Sequence, residues 1–196
     1  MQKLIVFNSV SLDGYFTGPK GDLSWAYAGG DDPEFRKFTA GNPSTGSGGA
    51  ASGGGSLIFG RVAYEMMASY WPSPMAMKND PKVARGMNAA AKYVFSKKLK
   101  KVAWENTTLL KGDPATEIRK LKKQDGKGLA ILGSGTIVAQ LAAKNLIDEY
   151  QFVLCPVILG KGRSMFEGLK KNLGFKLTKS RMFKNGKMYL CYEPVA

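Results

Sequence analysis

The most informative part of the sequence is residues 129–159, LAILGSGTIVAQLAAKNLIDEYQFVLCPVIL. Leu129 to Leu132 is an apolar run that ends at a glycine, which is typical of a short buried strand. Thr136 to Lys144 repeats apolar side chains at helical spacing, and from Glu149 onward the sequence is β-like. A strand, a glycine turn, a helix and a second strand predict alternating β and α structure.

The same alternation extends through the residues that precede this stretch. Lys3 to Asn8 (KLIVFN) predicts a buried first strand, and Asp32 followed by Pro33 predicts the capped start of a helix. The other predicted strands are Leu57–Gly60, Lys92–Ser96, Ala103–Glu105 and Thr108–Leu110, and the other predicted helices are Arg61–Tyr70, Pro81–Ala91 and Pro114–Gln124.

The C-terminal sequence GFKLTKSRMFKNGKMYLCYEP, residues 174–194, has the pattern of an antiparallel hairpin. Asn185-Gly186 lies between two alternating runs, and this dipeptide predicts a two-residue turn. Alternating β and α elements with an antiparallel ending predict an α/β fold, in which a central mixed sheet has helices on both faces.

A low-complexity segment, TAGNPSTGSGGAASGGGS at residues 39–56, interrupts the pattern. It could link two domains, but the residues before it are too few to fold alone. The 196 residues also fit one domain with a full core. We therefore expect a single domain over residues 1–196 with a flexible Gly/Ser-rich loop at 39–56.

The composition excludes several catalytic classes. The chain has no histidine, which rules out Ser-His-Asp and Cys-His catalysis, and its two cysteines cannot form a Cys/His zinc site, so no metal is expected. Cys155 and Cys191 lie in apolar runs, where reduced core thiols are expected rather than a disulfide. The first apolar stretch is too short for a signal peptide or a membrane span, and we expect a cytoplasmic protein.

The net charge of +14 is concentrated in the second half of the chain. Residues 1–95 contain 9 basic and 7 acidic side chains, whereas residues 96–196 contain 20 and 8. A basic half attracts anions of many kinds, from nucleic acid to a phosphorylated cofactor. The chain has no aromatic-basic RNA-binding motif, so a nucleic acid partner is not expected.

Glycine marks two predicted strand-to-helix junctions, Gly60-Arg61 and Gly133-Ser134-Gly135-Thr136. Glycine allows a ligand to approach the backbone, and the free N–H groups of a helix start bind phosphate. Either junction could instead be only a tight turn. Both follow apolar strands, and open α/β sheets bind ligands at that edge.

A third strand end, Ser96-Lys97, offers a hydroxyl and an ammonium group that suit a 2′-phosphate, although it could be a solvated basic turn. The turn at residues 133–136 is not a G-x-G-x-x-G fingerprint, and no acidic residue follows at the spacing of a ribose ligand. A standard Rossmann dehydrogenase is therefore not expected.

Four segments, in order, resemble a known family: SLDGYFTGPKGDLSW (11–25), FGRVAYEMMASYWP (59–72), KYVFSKKL (92–99) and the stretch from Ala130 to Gly168. Together the chain resembles the dihydrofolate reductase-like superfamily, in the branch of the C-terminal reductase domain of bifunctional riboflavin-biosynthesis proteins. The resemblance covers the chain from Leu4 to the final hairpin, apart from the Gly/Ser segment.

This resemblance implies a three-layer α/β/α sandwich with a central mixed sheet, which binds NADPH and forms a homodimer. Gly60 and Arg61 match the helix start that holds a cofactor phosphate in the family. Ser96 and Lys97 match the strand end that contacts the 2′-phosphate, and residues 133–136 match the pyrophosphate turn.

The resemblance also implies a substrate side. Asp13 and Gly14 match the loop that borders nicotinamide and substrate, and Trp25 matches the family tryptophan after it. Asp31 lies four residues before Phe35, the spacing of the catalytic carboxylate in dihydrofolate reductases, but an acid here could also be a helix cap. Asp13 is the alternative polar contact to the substrate, with a purely turn-forming role equally open.

The expected activity is hydride transfer from NADPH to a small heterocycle, most like that of 5-amino-6-(5-phosphoribosylamino)uracil reductase. The alternatives are dihydrofolate reductase activity, or a non-catalytic nucleotide-binding or anion-binding protein with the same fold. The zinc deaminase domain of bifunctional riboflavin enzymes is excluded, because its signature requires histidine.

Overall fold

An eight-stranded mixed sheet organises the chain, of which the computed structural model describes residues 1–41 and 55–195. The strands are β1 (Leu4–Ser11), β2 (Tyr15–Thr17), β3 (Ser56–Gly60), β4 (Lys92–Phe95), β5 (Thr107–Leu110), β6 (Leu129–Leu132), β7 (Glu149–Cys155), β8 (Arg163–Ser164), β9 (Phe175–Met182) and β10 (Met188–Pro194). The helices are α1 (Pro33–Gly41), α2 (Arg61–Tyr70), α3 (Pro74–Asn79), α4 (Pro81–Ala89), α5 (Pro114–Lys123) and α6 (Gly135–Ala142).

The strand order is β5-β4-β3-β6-β1-β7-β10-β9, and β2 pairs with β8 in a separate ribbon. The strands from β5 to β7 in this order run parallel, with Val6 opposite Ile131 and Ser11 opposite Cys155. Only β10 and β9 complete the sheet with antiparallel pairing. Because parallel strands end at one edge, the residues that follow them meet there.

Helices cover both faces of this sheet. Residues of α1, α2 and α4 pack against Phe7 and Phe59 on one face, and residues of α5 and α6 pack around Val6 and Ile131 on the other. The near-continuous apolar runs of the central strands follow from this double burial. The predicted three-layer α/β/α fold with a mixed sheet is confirmed.

Aspartate side chains cap the starts of two helices, and the sequence predicts the first of these caps. Oδ1 of Asp32 accepts hydrogen bonds from the N–H groups of Glu34 and Phe35 at the start of α1. Oδ2 of Asp113 accepts one from the N–H of Thr116, at 2.8 Å, in α5. Each such cap contributes roughly 1 kcal/mol to helix stability.

The predicted strand at Ala103–Glu105 is wrong. The hydroxyl oxygen of Tyr64, on α2, accepts hydrogen bonds from the N–H groups of Ala103 and Trp104, at 3.1 and 3.0 Å. These groups are therefore bonded to a side chain rather than to a neighbouring strand. Strand pairing begins at Thr107, opposite Lys92.

The C-terminal hairpin is confirmed, but its predicted two-residue turn is wrong. The N–H of Phe183 bonds the carbonyl of Lys187 at 2.9 Å, and the N–H of Gly186 bonds the carbonyl of Phe183 at 3.0 Å. Lys184, Asn185 and Gly186 therefore form a three-residue turn. Gly186 has a φ of 80°, and such loops need a residue in this left-handed region.

The sequence predicts a Gly/Ser loop at 39–56, and the structure shortens it at both ends. Sequence reasoning also missed one short helix. Residues 39–41 belong to the end of α1 and Ser56 begins β3, while residues 42–54 lie outside the described part of the chain. The missed helix is α3, whose cap is the Ser73 hydroxyl, which accepts the N–H of Ala76 at 3.2 Å.

Candidate functional site

The two glycine-marked junctions lie side by side at the carboxyl edge of the sheet. The N–H of Gly60, at the end of β3, donates a 2.7 Å hydrogen bond to Oγ of Ser134, which follows β6. A Cβ at Gly60 would lie 3.5 Å from that oxygen and 3.4 Å from Cγ1 of Ile137. The two turns are therefore in van der Waals contact as well as hydrogen-bonded.

The turn after β6 has two consecutive residues in the left-handed region. Gly133 has a φ of 65°, and Ser134 has a φ of 60° although it is not glycine. The side chain of Asn8, on β1, forms two hydrogen bonds with this turn. Its Oδ1 accepts the N–H of Gly133 at 2.8 Å, and its Nδ2 donates to the carbonyl of Gly133 at 3.3 Å.

Gly135 begins α6 in a position with no room for a side chain. A Cβ there would lie 2.7 Å from Cζ of Phe16 and 3.3 Å from the carbonyl oxygen of Met165. Phe16 lies on β2, so the loop that follows β1 packs directly against the start of α6. The helix start is thus fixed by contacts from two other parts of the chain.

The starts of α2 and α6 together form an anion-binding cradle, which we define as residues 60–61 and 133–136. The first N–H groups of a helix have no acceptor within the helix, and they carry the positive end of its dipole. Arg61 adds a guanidinium group that pairs with Glu65 at 2.7 Å and remains 39% exposed. The cradle therefore suits a phosphate or diphosphate group.

Ser96 and Lys97 follow β4, the strand beside β3, so they extend the same edge. Oγ of Ser96 accepts the N–H groups of Lys98 and Leu99, at 3.1 and 3.0 Å, which orders the turn after the strand. Lys97 is exposed. The structure thus brings the predicted cofactor residues to three neighbouring strand ends, and their roles stay predictions.

Asp13 lies on the other side of β1 from this turn, and hydrogen bonds hold its carboxylate. The Ser11 hydroxyl donates to Oδ1 at 2.6 Å, and the N–H groups of Leu159 and Gly160 donate at 3.1 and 2.7 Å. The hydroxyl and then these backbone groups hold the pKa of Asp13 below its ordinary value. Asp13 therefore ties the loop after β1 to the loop after β7. Gly14 closes the first loop, with a φ of 82°.

The remaining predicted substrate residues have different surroundings. Asp31 is 65% exposed and pairs with Nε of Arg36 at 2.9 Å. Trp25 is buried, and its Nε1 donates to the carbonyl of Asp22 at 3.0 Å. Phe35 packs edge to face against Phe183 of the hairpin, with 5.1 Å between ring centroids. Trp25 and Phe35 therefore form part of the core beneath the loops.

Sequence reasoning missed the contacts that join α1 to the hairpin. The buried Asp32 carboxylate accepts the N–H of Asn185 at 3.2 Å in addition to capping α1. Glu34 pairs with Arg181, and Glu34 lies four residues before Phe38, the same spacing as Asp31 and Phe35. That repeated spacing is the signal that could have identified Glu34 as a second carboxylate to consider.

The described residues contain neither a candidate membrane span nor a candidate metal site. None of the helices in residues 1–41 and 55–195 has the length and apolarity that crossing a membrane requires. The same part of the chain contains no group of three or more Cys, Asp or Glu side chains that could hold a metal ion.

Solved structures with the same fold include three informative ones. A protein of Shewanella sp. PV-4 with a provisional riboflavin-biosynthesis name is 24% identical, with a TM-score of 0.75 and full coverage of both chains. A diaminohydroxyphosphoribosylaminopyrimidine deaminase/5-amino-6-(5-phosphoribosylamino)uracil reductase of Thermotoga maritima is 14% identical, with a TM-score of 0.64; the match covers 99% of this chain and 57% of that one. Dihydrofolate reductase of Enterococcus faecalis, complexed with NADP(H), is 14% identical, with a TM-score of 0.61 and coverage of 99% and 97%.

The family model for the RibD C-terminal domain matches residues 2–189. This range contains each of the three strand ends and both loops described above. The ordered motifs, the mixed sheet and the family match agree, and the chain belongs to the RibD C-terminal domain family.

Proposed function

We propose that the chain is an NADPH-dependent reductase that transfers hydride to a small heterocycle, most like 5-amino-6-(5-phosphoribosylamino)uracil. The observation that carries the proposal is the Gly60–Ser134 hydrogen bond, which joins two helix starts into one cradle for a diphosphate. The named activity of the Thermotoga protein and the NADP(H) in the Enterococcus enzyme support the choice of chemistry.

The residues at the cradle fit a phosphorylated dinucleotide. Glycines at 60 and 133 permit close approach of the backbone, and Arg61 offers a cation beside the helix starts. Ser96 and Lys97, one strand away, provide a hydroxyl and an ammonium for a 2′-phosphate. Bound NADPH would supply the hydride, and the protein would hold the ring in place and exclude water.

The two candidate carboxylates differ in how firmly they are held. Asp13 is fixed between two loops, so its role would be to position them around the substrate. Asp31 is held only by the exposed Arg36, and it is therefore the carboxylate that could turn toward a bound ring. We assign Asp31 the polar contact to the substrate, and Gly14, Trp25 and Phe35 the wall around it.

Titration with NADPH, followed by tryptophan fluorescence, tests the cofactor assignment. Arg61→Ala should weaken binding about tenfold, as expected for a lost charge-assisted contact, whereas Asp31→Ala should change it little. Glu65→Ala is the matched control, because it frees Arg61 from its ion pair. The reverse order of Arg61→Ala and Asp31→Ala, or no binding of NADPH at micromolar concentration, would contradict the proposal.

Turnover assays then separate the substrates. Oxidation of NADPH with 5-amino-6-(5-phosphoribosylamino)uracil would support the first choice, and oxidation with dihydrofolate would favour the folate alternative. NADPH binding without turnover of either would leave a reductase that acts on another substrate.

We also propose that the working form is a homodimer in a reducing compartment such as the cytoplasm. Every residue of β9 is exposed in the single chain, including Leu177 and Met182, and β9 is the outer strand of the sheet. An exposed edge strand can pair with another chain, and covering is one of the ways in which proteins protect such an edge. Cys155 and Cys191 are buried free thiols, which suits a reducing environment.

A further inference from the structure

Lys187 is a buried lysine with no hydrogen-bond acceptor among the described residues. Lys187 directly follows the hairpin turn and is only 3% exposed. Its Nζ lies 4.5 Å from the centroid of the Phe35 ring. Within residues 1–41 and 55–195, no carboxylate comes within ion-pair distance of this ammonium. Burial lowers the pKa of Lys187, while Cys155 and Asp32 act in the opposite direction.

Lys92, the other fully buried lysine in the described core, shows how an ammonium is normally satisfied. Its Nζ donates to the carbonyl oxygens of Met87, Asn88 and Ala90, at 2.9, 3.0 and 2.7 Å, and lies 4.5 Å from the centroid of the Trp104 ring. Lys187 has the aromatic neighbour but none of the carbonyls. Among the described residues, the Lys187 ammonium therefore has an aromatic contact and no acceptor, so its N–H donors can serve a ligand.

The place of Lys187 in the fold points to a ligand. Because β10 runs antiparallel to β7, the residue just before β10 lies at the carboxyl edge of the sheet, beside Cys155. A Cβ at Gly186 would lie 3.2 Å from Cγ of Pro156, which directly follows β7. The strand order puts β1 between the cradle on β3 and β6 and Lys187 beyond β7. The cradle occupies one part of the carboxyl edge, and Lys187 lies at the far end of the remaining part, where a substrate would bind.

Asp32 supports the ammonium without neutralising it by direct contact. Its carboxylate oxygens are already committed to the N–H groups of Glu34, Phe35 and Asn185. It therefore contributes a nearby negative potential, while the three N–H donors of Lys187 remain available.

We propose that Lys187 is a substrate-orienting cation, which donates hydrogen bonds to a carbonyl or carboxylate oxygen of a small oxygen-bearing ring at the wall formed by α1 and the hairpin. The proposal rests on the proposed function for its identification of the ligand as substrate. It also specifies which ligands this end of the site prefers. Rings with exocyclic oxygens should bind, and anionic rings should bind more tightly than neutral ones.

Calorimetric titration with orotate, a pyrimidine with two carbonyls and a carboxylate, tests this role. Lys187→Met should weaken orotate binding about tenfold or more, because a charge-assisted hydrogen bond is lost. Lys184→Met, which removes the same charge from an exposed position in the same turn, should change the affinity less than about twofold. Lys187→Gln, which keeps a donor without the charge, should be intermediate.

Thermal unfolding without ligand separates this role from a structural one. Lys187→Met should have a Tm at least equal to that of the wild type, because Lys187 forms no ion pair with the described residues and methionine fills the same space. A lower Tm together with unchanged orotate affinity would make Lys187 a structural residue and overturn the proposal. Failure of the wild type to bind orotate at millimolar concentration would also overturn it.

NADPH titration of the same variants distinguishes the two proposals. Both Lys187→Met and Lys184→Met should bind NADPH as the wild type does, since the cradle lies across β1. If the wild type does not bind NADPH, the proposed function fails whatever orotate does. If NADPH binds and orotate affinity is the same in all variants, only the assignment of Lys187 fails.

Discussion

The N–H of Gly60 and the hydroxyl oxygen of Ser134 are 2.7 Å apart, although 74 residues separate them in the chain. This bond fixes the ends of β3 and β6 relative to each other, and with them the starts of α2 and α6. A diphosphate would meet both helix starts at once only if this spacing is kept.

Substitutions at Ser134 should separate the hydrogen bond from the backbone strain. Ser134→Ala should reduce the free energy of unfolding by about 1 kcal/mol, because the N–H of Gly60 loses its acceptor. Ser134→Gly loses the same bond but relieves the left-handed backbone at φ 60°, so it should be more stable than Ser134→Ala by up to about 1 kcal/mol. Urea denaturation measures both values. Equal stability of the two variants would contradict the strain.

Gly135→Ala should be destabilising through a clash with one ring. The new Cβ would lie 2.7 Å from Cζ of Phe16, and overpacking of this kind costs about 1–3 kcal/mol. Adding Phe16→Leu should restore part of that loss, so the double-mutant cycle should show a coupling of at least about 0.5 kcal/mol. Additive losses would mean that the clash is relieved elsewhere.

Lys92 should make stability depend on pH in the alkaline range. Burial lowers the pKa of Lys92 to about 8, from 10.5 when exposed. Between these values the unfolded chain binds more protons than the folded one, so the free energy of unfolding should rise with pH. The free energy of unfolding of the wild type minus that of Lys92→Met should therefore increase by up to about 3 kcal/mol from pH 8 to 10.5. Denaturation at several pH values measures it, and a constant difference would refute the shift.

Asp32 and Asp31 should behave oppositely although they are adjacent. Backbone N–H groups, that of Phe35 first, hold the pKa of Asp32 below its ordinary value of 3.8. The ionised carboxylate therefore contributes to stability above pH 3.8, and this contribution is lost as the pH falls through the lowered pKa of the folded state. Asp32→Asn should therefore lower the Tm at pH 7 and have less effect near pH 2. Asp31→Asn, on an exposed side chain, should leave the Tm unchanged and reduce turnover. A lower Tm for Asp31→Asn would indicate a structural role instead.

The proposed homodimer predicts that an acidic side chain at an apolar position of β9 disrupts assembly. Leu177→Glu places a carboxylate on the exposed edge strand and should shift the protein to monomer in analytical ultracentrifugation. Met75→Glu, at a similarly exposed apolar side chain on α3, is the control and should leave the oligomeric state unchanged. A wild type that sediments as a monomer would refute the prediction.

The sequence predicts well where the signal is local. Glycine after an apolar run located both turns of the cradle, and Asp32 before Pro33 located the start of α1, because caps and tight turns depend on neighbouring residues. The alternation of strands and helices predicted a mixed sheet for the same reason.

Contacts between residues that are distant in the chain could not be predicted from such local signals. Asn8 is only a polar residue at the end of a strand until the fold brings it to Gly133, 125 residues later. Lys187 is one basic residue among 29 in the sequence, and what distinguishes it is burial without the carbonyl acceptors that Lys92 has. The predicted strand at Ala103–Glu105 failed because a distant side chain, Tyr64, takes the N–H groups that a ladder would need.

The bond between Asp32 and Asn185 spans 153 residues of the chain, and the pair of Glu34 with Arg181 spans 147. During synthesis α1 therefore emerges long before the turn that it packs against. The wall around the candidate substrate site can close only when the last strands have left the ribosome. Until that moment Phe35 lacks the ring of Phe183 against which it packs, and apolar surface left uncovered in this way favours aggregation during folding.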